Sequence, residues 1–326
     1  MLLAFLTDGQ KLLETARKVH PAALALPMFL SILSYAAMAR SYQGIADVAG
    51  RHLPFRDWLR ITFVSNAANN LVTSAGLSGF AVRMLLLAQQ GVSSGRAVLI
   101  SLVQTFLTNF TLLFFILGGM MTLVVRKHIG GALLAVAIAA VMAFAVLLVT
   151  AFVLAIRPEL RRRTLLRTTM VLYRVGRRVA PRWTPPRARV GRFQRNLDQG
   201  LHFLLMRKRR MVAPTCWILF DWVLTVGVLW AAFWAVDWPL PLSVVIMGFG
   251  VGLFFSLVSF IPGGLGVMEG SMTAVFVSLK VPLESSVLAV LIFRLTYQVI
   301  PLLVSLFMFH GLVRQTIRQV EETSRG

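Results

Sequence analysis

The stretch from Phe260 to Lys280 decides how the chain folds, and it reads Phe-Ile-Pro-Gly-Gly-Leu-Gly-Val-Met-Glu-Gly-Ser-Met-Thr-Ala-Val-Phe-Val-Ser-Leu-Lys. A long apolar run ends at the Pro-Gly-Gly triplet, and a shorter apolar run follows with a carboxylate in its first turn. Lipid cannot pair the backbone groups that a broken helix frees, so such breaks persist only inside protein or beside a watery cavity. We therefore predict a binding site at a discontinuous membrane helix. Its candidate residues are Pro262, Gly263, Gly264, Gly266 and Glu269.

The composition places the chain in the membrane. Of its 326 residues 57% are hydrophobic, and the mean hydropathy is +0.77. Several apolar runs approach the roughly 20 residues that a helix needs to cross a bilayer. We predict an all-α polytopic membrane protein, with residues 1–326 forming one integral membrane domain. The single cysteine and five scattered histidines indicate no metal site, and nothing in the sequence indicates a cofactor.

About seven membrane spans are predicted, together with two shorter apolar pieces that follow glycine-rich breaks. At about 1.5 Å per residue the short pieces cannot comfortably cross about 30 Å, so we interpret them as half-helices or re-entrant segments. A short tilted span is the alternative for the second piece. The predicted spans are Ala22–Ala39, Trp58–Ser74, Ala97–Val125, Ile129–Ile156, Met211–Val236, Leu240–Ile261 and Ser285–His310, and the short pieces are Gly79–Ala88 and Leu265–Leu279.

The net charge of +21 is concentrated in one segment. Residues 157–210 hold 17 Lys or Arg against two acids, a net charge of +15. Under the positive-inside rule this segment is a cytoplasmic loop, so its charge gives no reason to invoke nucleic acid. Apolar positions at helical spacing predict amphipathic helices within it, which either recruit lipid headgroups or simply orient the protein at the surface.

The two glycine-rich breaks resemble each other, which suggests an internal repeat. Gly76-Leu77-Ser78-Gly79 parallels Gly264-Leu265-Gly266, and similar short segments follow each of them. Corresponding breaks in two halves of a membrane protein predict a binding site at the repeat interface. The sequence leaves open whether the repeats are parallel or inverted.

Four ionisable residues lie well within apolar runs: Asp221, Glu269, Arg83 and Arg294. An ionised group at the centre of the bilayer costs about 2.5–3.5 kcal/mol on insertion scales, so each needs a partner, water or a function. We expect Glu269 to pair with Arg294, either as a fixed lock between helices or in contact with substrate. Asn66, Asn69 and Asn70, which can line a polar path or join helices, accompany Arg83 in the first half. Gly76 and Gly79, at the first glycine-rich break, are further candidates for the site.

Three blocks of sequence resemble a known family, the transmembrane, flippase-like domain of lysylphosphatidylglycerol synthases and their stand-alone relatives. The blocks are Ser65–Arg83 continuing to Ser93, Pro262–Gly270, and Phe293–Tyr297 with Pro301. The resemblance extends over nearly the whole chain and is most specific in the second block. It implies a multi-pass protein of the cell membrane tied to lipid translocation, with Arg83, Glu269 and Arg294 as site residues. Because the sequence ends at Gly326, we expect no aminoacyl-transferase domain.

The sequence thus predicts a lipid translocase that moves an anionic or aminoacylated phospholipid, or a lipid-linked glycan, across the membrane. Neither paired carboxylates nor a nucleotide-binding loop is visible, so we expect no enzyme chemistry and no direct use of ATP. The alternative is a non-transporting membrane partner that positions a lipid-modifying or glycosyl-transferring enzyme. The oligomeric state cannot be derived from the sequence.

Overall fold

The computed structural model describes residues 19–71, 77–125, 206–259 and 261–308, together with residue 17 and isolated positions between 138 and 201. Within these residues every regular element is a helix, which confirms the predicted all-α membrane fold. The helices are α1 (Ala25–Val48), α2 (Phe55–Leu71), α3 (Leu77–Gln89), α4 (Ser94–Val125), α5 (Val212–Ala235), α6 (Leu242–Ser259), α7 (Val267–Ser278) and α8 (Leu283–Arg294, continuing through a π-helical segment, Leu295–Val299, to Met308). Short 3₁₀ segments lie at Pro21–Leu24, Lys208–Met211 and Pro262–Gly264.

Five helical segments of the described chain are long and apolar enough to cross a membrane, and five of the seven predicted spans overlap them. Of the predicted span Ile129–Ile156 and of residues 157–205 the structure describes only isolated positions, so this span and the amphipathic helices predicted for the basic segment stay predictions. The predicted crossing at Trp58–Ser74 is not among the five. The five segments are Pro21–Val48, Ser94–Gly119, Arg209–Ala235, Leu242–Ser259 and Leu283–Met308.

Helices α2 and α3 form a helical hairpin. Their packing is antiparallel, because Asn69 contacts Gly79 whereas Ser65, one turn earlier on α2, contacts Arg83, one turn later on α3. At the open end of the hairpin, Arg51 donates a hydrogen bond of 2.9 Å to the carbonyl of Gln90, so the chain enters and leaves at the same end. The chain therefore turns back after α2, and the predicted crossing at Trp58–Ser74 and the predicted re-entrant character of α3 both stay predictions.

Helices α6 and α7 form a second antiparallel hairpin. Small residues on α6 allow the close approach: a Cβ on Gly252 would lie 2.5 Å from the Cγ atom of Met272, and one on Gly248 would overlap the ring of Phe276. At the base of this hairpin, Phe276 near the end of α7 packs against Phe233 near the end of α5, with ring centroids 4.6 Å apart. These two glycines therefore serve close packing of α6 against α7.

The two hairpins enter the bundle from opposite ends of α1. The base of the α2–α3 hairpin packs with the end of α1, in a cluster that contains Val48, Trp58 and Val92. The base of the α6–α7 hairpin packs with the start of the chain, in a cluster that contains Val236 and Val281 and is joined by Leu24 and Leu30. A bundle with hairpins entering from opposite ends follows from these two clusters.

The order of elements repeats, and the two copies run in opposite directions. A long helix, a helical hairpin and a second long helix make up both α1–α4 and α5–α8. Helices α1 and α5 are antiparallel, since Leu30 lies against Gly227 and Gly44 lies against Pro214. This order of elements agrees with the suggested internal repeat, and the antiparallel first helices favour an inverted arrangement of its two copies.

Candidate functional site

The tips of the two hairpins meet inside the bundle. A Cβ built on Gly263, in the break after α6, would lie 3.6 Å from the carbonyl oxygen of Asn70 near the end of α2. Three glycines at the break adopt left-handed φ angles that side chains disfavour: Gly263 at 55°, Gly264 at 63° and Gly266 at 80°. The predicted break residues thus set the path of the backbone, with Pro262 opening the 3₁₀ turn and Gly266 capping α7.

Arg294 pairs the carbonyl groups that the break frees. Its Nη1 atom donates to the carbonyl of Gly263 at 2.7 Å, and its Nη2 atom donates to that of Gly264 at 3.1 Å. Nη1 also donates to the side-chain oxygen of Gln298, which lies in the π-helical segment. Arg294 is the twelfth residue of the 26-residue span Leu283–Met308, so these bonds form near the middle of that helix.

Glu269 completes this cluster as the counter-ion. Its Oε1 atom lies 2.7 Å from the Nε atom of Arg294, which confirms the predicted ion pair. The Arg294 side chain is 6% exposed and that of Glu269 20%, so the pair is largely withdrawn from solvent. The second carboxylate oxygen, Oε2, is buried and has no hydrogen-bond partner among the residues that the structure describes. The cluster therefore retains one free acceptor at the start of α7.

The asparagines of α2 have different partners. Asn69 accepts a hydrogen bond of 2.7 Å from the backbone N–H of Gly79, which caps the first turn of α3. A Cβ at Gly79 would overlap this amide, so the turn needs glycine. Asn66 donates to the sulfur of Met38 at 3.3 Å, a weak interaction. Asn70 faces the second break through its backbone, and Gly76 lies outside the described residues.

Arg83 is a buried cation of a different kind. It is 5% exposed, and its guanidinium lies 4.3 Å from the ring centroid of Tyr42 on α1. One long hydrogen bond, 3.4 Å from Nη2 to Ser65, joins it to α2, and its Nε atom has no hydrogen-bond partner. Among the described residues no carboxylate lies within ion-pair distance of Arg83. A guanidinium with free donors and a stacked face suits a phosphate group.

Asp221 makes its contacts with hydroxyl groups and not with Arg83 or Arg294. It is 4% exposed and accepts a hydrogen bond from Ser34 on α1. Thr225, one turn along α5, lies 3.3 Å from the Ser34 hydroxyl and donates to the hydroxyl of Tyr297 at 3.0 Å. The structure thus joins Asp221 to a hydroxyl cluster, whereas Glu269 joins the hairpin tips.

Sequence reasoning missed four polar partners of these charged residues. Gln298 lies four residues after Arg294 in the same apolar run, so its helical spacing was a usable signal. The Ser34 partner of Asp221 and the Tyr42 ring that stacks on Arg83 lie on helices distant in sequence. No local sequence pattern therefore predicts these contacts. The missed residues are Gln298, Ser34, Thr225 and Tyr42. Within the described residues no three His, Cys, Asp or Glu side chains group together as metal ligands would.

Comparison with known proteins agrees with this architecture. A segment of 89 residues is 34% identical to the phosphatidylglycerol lysyltransferase of Staphylococcus haemolyticus (strain JCSC1435). That segment covers 27% of this chain and 11% of the length of the relative, so the similarity concerns a small part of that protein. The model of the family described as the lysylphosphatidylglycerol synthase TM region matches residues 1–305. The chain therefore belongs to the lysylphosphatidylglycerol synthase transmembrane-region family.

Proposed function

We propose that the protein is a lipid translocase of the cell membrane, and that it moves an anionic or aminoacylated phospholipid, or a lipid-linked glycan, from one leaflet to the other. The observation that carries the proposal is the meeting of two oppositely entering hairpins at buried charged residues. In transporters with inverted repeats, substrate sites lie at the repeat interface near mid-membrane, beside discontinuous helices. In this proposal the helices perform no covalent chemistry.

The two arginines have different roles in the proposed mechanism. Arg294 holds the second hairpin in shape, because its donors are engaged by Gly263, Gly264, Gln298 and Glu269. Arg83 has an unpartnered Nε atom and no carboxylate close by among the described residues, so it is the cation available to a lipid phosphate. Desolvated phosphate–guanidinium pairs are among the strong charge-assisted hydrogen bonds.

The acceptor on Glu269 supports a preference among headgroups. Its Oε2 atom is buried without a hydrogen-bond partner, and a buried acceptor in that state favours a ligand that donates to it. An ammonium group on an aminoacylated headgroup is such a donor. Replacing Glu269 by Gln should therefore reduce transport of aminoacylated lipid more than transport of the unmodified anionic lipid.

Charge also supports an orientation. Basic residues gather at the end of the bundle where α1 ends and α5 begins, including Arg51, Arg56, Arg96 and the segment Lys208–Arg210. The opposite end carries Asp237 and the basic-free stretch Asp237–Pro239. The positive-inside rule then places the base of the α2–α3 hairpin, with the segment 157–210, in the cytoplasm.

The proposal is tested by lipid transport in vesicles of defined composition. Purified protein is reconstituted with labelled phosphatidylglycerol, its aminoacylated form or a lipid-linked glycan, and an impermeant quencher reports the outer-leaflet fraction. We expect quenching beyond that of protein-free vesicles for at least one lipid. Well-folded protein that moves none of the three lipids would contradict the proposal.

A second candidate function is that of a membrane partner that positions a lipid-modifying enzyme. The observation that favours it is the net charge of +15 in residues 157–210, which suits docking to an acidic surface. Deleting residues 182–195 separates the two candidates. A translocase should keep its lipid flux in vesicles after the deletion. A docking partner should no longer bind its enzyme after the deletion, and it should show no lipid flux before or after it.

A further inference from the structure

A second buried acid lies where the two inverted repeats face each other. Ser34 is the tenth residue of α1 and Asp221 is the tenth residue of α5, and these two helices are antiparallel. The Ser34 hydroxyl donates to the Asp221 carboxyl group, so positions equally far from the starts of the two antiparallel helices touch. Asp221 thus lies near the middle of the contact between α1 and α5.

The surroundings of Asp221 offer hydroxyl groups but no cation. Within the described chain no Lys, Arg or His lies within ion-pair distance of it. The titratable groups near enough to interact with its charge are the phenols Tyr35 and Tyr42 on α1 and Tyr297 on α8. None of these brings a positive charge, and the side chain is 4% exposed. An unpaired ionised carboxylate is strongly disfavoured in such a place.

The hydroxyl cluster connects this acid to the segment that carries Arg294. Thr225 lies beside Ser34 and donates to the hydroxyl of Tyr297, which belongs to the π-helical segment Leu295–Val299. Tyr35 donates to the carbonyl of Tyr297 at 3.2 Å. Single π-helical turns are often found at functional sites. A change in charge at Asp221 would therefore be felt by α1, α5 and α8 together.

We propose that Asp221 is a proton-binding site whose occupancy is linked to the packing of α1 against α5. In the closed packing the carboxylic acid keeps its proton. When the two repeats separate and water enters, the O–H bond breaks, the proton passes to a water molecule, and the carboxylate is left hydrated. This site is distinct from the lipid contacts proposed for Arg83 and Glu269, and its existence does not depend on lipid transport.

Infrared difference spectroscopy tests the site directly. The protonated carboxylic acid has a carbonyl-stretch band that the carboxylate lacks. For the full-length protein at neutral pH we expect such a band, and we expect Asp221→Asn to remove it. Glu269→Gln, which alters the other buried acid, should leave it, and Ser34→Ala should shift it because the hydrogen bond changes. If Asp221→Asn leaves the band unchanged, or if no such band exists at neutral pH, the proposal is overturned.

Stability as a function of pH tests the link to packing. If the closed packing binds a proton that the unfolded chain releases, stability falls as the pH rises. Asp221→Asn mimics the protonated acid and should flatten that fall, whereas Arg60→Gln, at an exposed position on α2, should leave it unchanged. An Asp221→Asn protein whose melting temperature falls with pH as steeply as that of the wild type would refute the link. Both measurements have outcomes independent of whether any lipid is transported.

Discussion

Replacing Arg294 by Ala should unfold the second hairpin far more readily than any change at Arg83. The substitution removes the donors to Gly263, Gly264 and Gln298, and it leaves Glu269 without its cation. Removing one member of a buried ion pair costs about 3–5 kcal/mol. Because the Glu269 side chain keeps 20% exposure, water relieves part of that cost, and we expect the free energy of unfolding to fall by about 3 kcal/mol.

Two further variants determine the origin of this loss. Arg294→Lys keeps the charge but not the fork that reaches two carbonyls, so we expect a smaller loss of about 1.5 kcal/mol, the value of one hydrogen bond to a charged group. In protein that already carries Glu269→Gln, Arg294→Ala should reduce the free energy of unfolding by less than it does in the wild type. We expect the difference, which is the coupling energy of the two residues, to be about 0.5–3 kcal/mol.

The assay is equilibrium or thermal unfolding of the purified protein in a single detergent. Arg83→Ala provides the contrast, since it removes one hydrogen bond of 3.4 Å and a cation–π contact worth about 0.5–2 kcal/mol. The reasoning is refuted if Arg294→Ala lowers the free energy of unfolding by no more than about 0.5 kcal/mol, the range in which surface substitutions normally fall.

Two other predictions test the packing and the topology. Gly248→Ala should destabilise the protein by about 1–3 kcal/mol, because its Cβ would overlap the ring of Phe276, whereas Gly270→Ala meets nothing within 4 Å and should be neutral or slightly stabilising. Unfolding measurements check this pair, and equal effects of the two substitutions would contradict the packing. In a variant whose lone cysteine is replaced by serine, Ser94→Cys and Ser243→Cys mark the bases of the two hairpins. An impermeant thiol reagent should label them from opposite sides of the membrane, and labelling from the same side would exclude the inverted repeat.

The fold class and the central ion pair could be predicted because their signals are local. Apolar runs near the length of a bilayer crossing identify helices, and an acid and a base buried in such runs need each other. This is why Glu269 and Arg294 were paired correctly. The position of the break could also be predicted, since a proline followed by two glycines at Pro262 interrupts an α-helix.

The remaining features depend on packing between distant segments. The 17 residues of α2 have nearly the length of a span, and only contacts between separate segments, such as the bond from Arg51 to Gln90, show that the chain turns back. Likewise, the contact of Asn70 with Gly263 exists because two inverted hairpins meet, a relation that no local pattern encodes. The partner of Asp221, Ser34, lies 187 residues away in the sequence, so no local pattern reveals their contact either.

The measurement that tests the central claim most directly is lipid flux through vesicles that contain Arg83→Gln protein. The matched control is Arg60→Gln, which removes the same charge from an exposed position of the same hairpin. We predict that Arg83→Gln abolishes flux while the protein stays folded, and that Arg60→Gln transports lipid at the wild-type rate. Wild-type flux from folded Arg83→Gln protein would contradict the claim that lipid phosphate passes this buried cation.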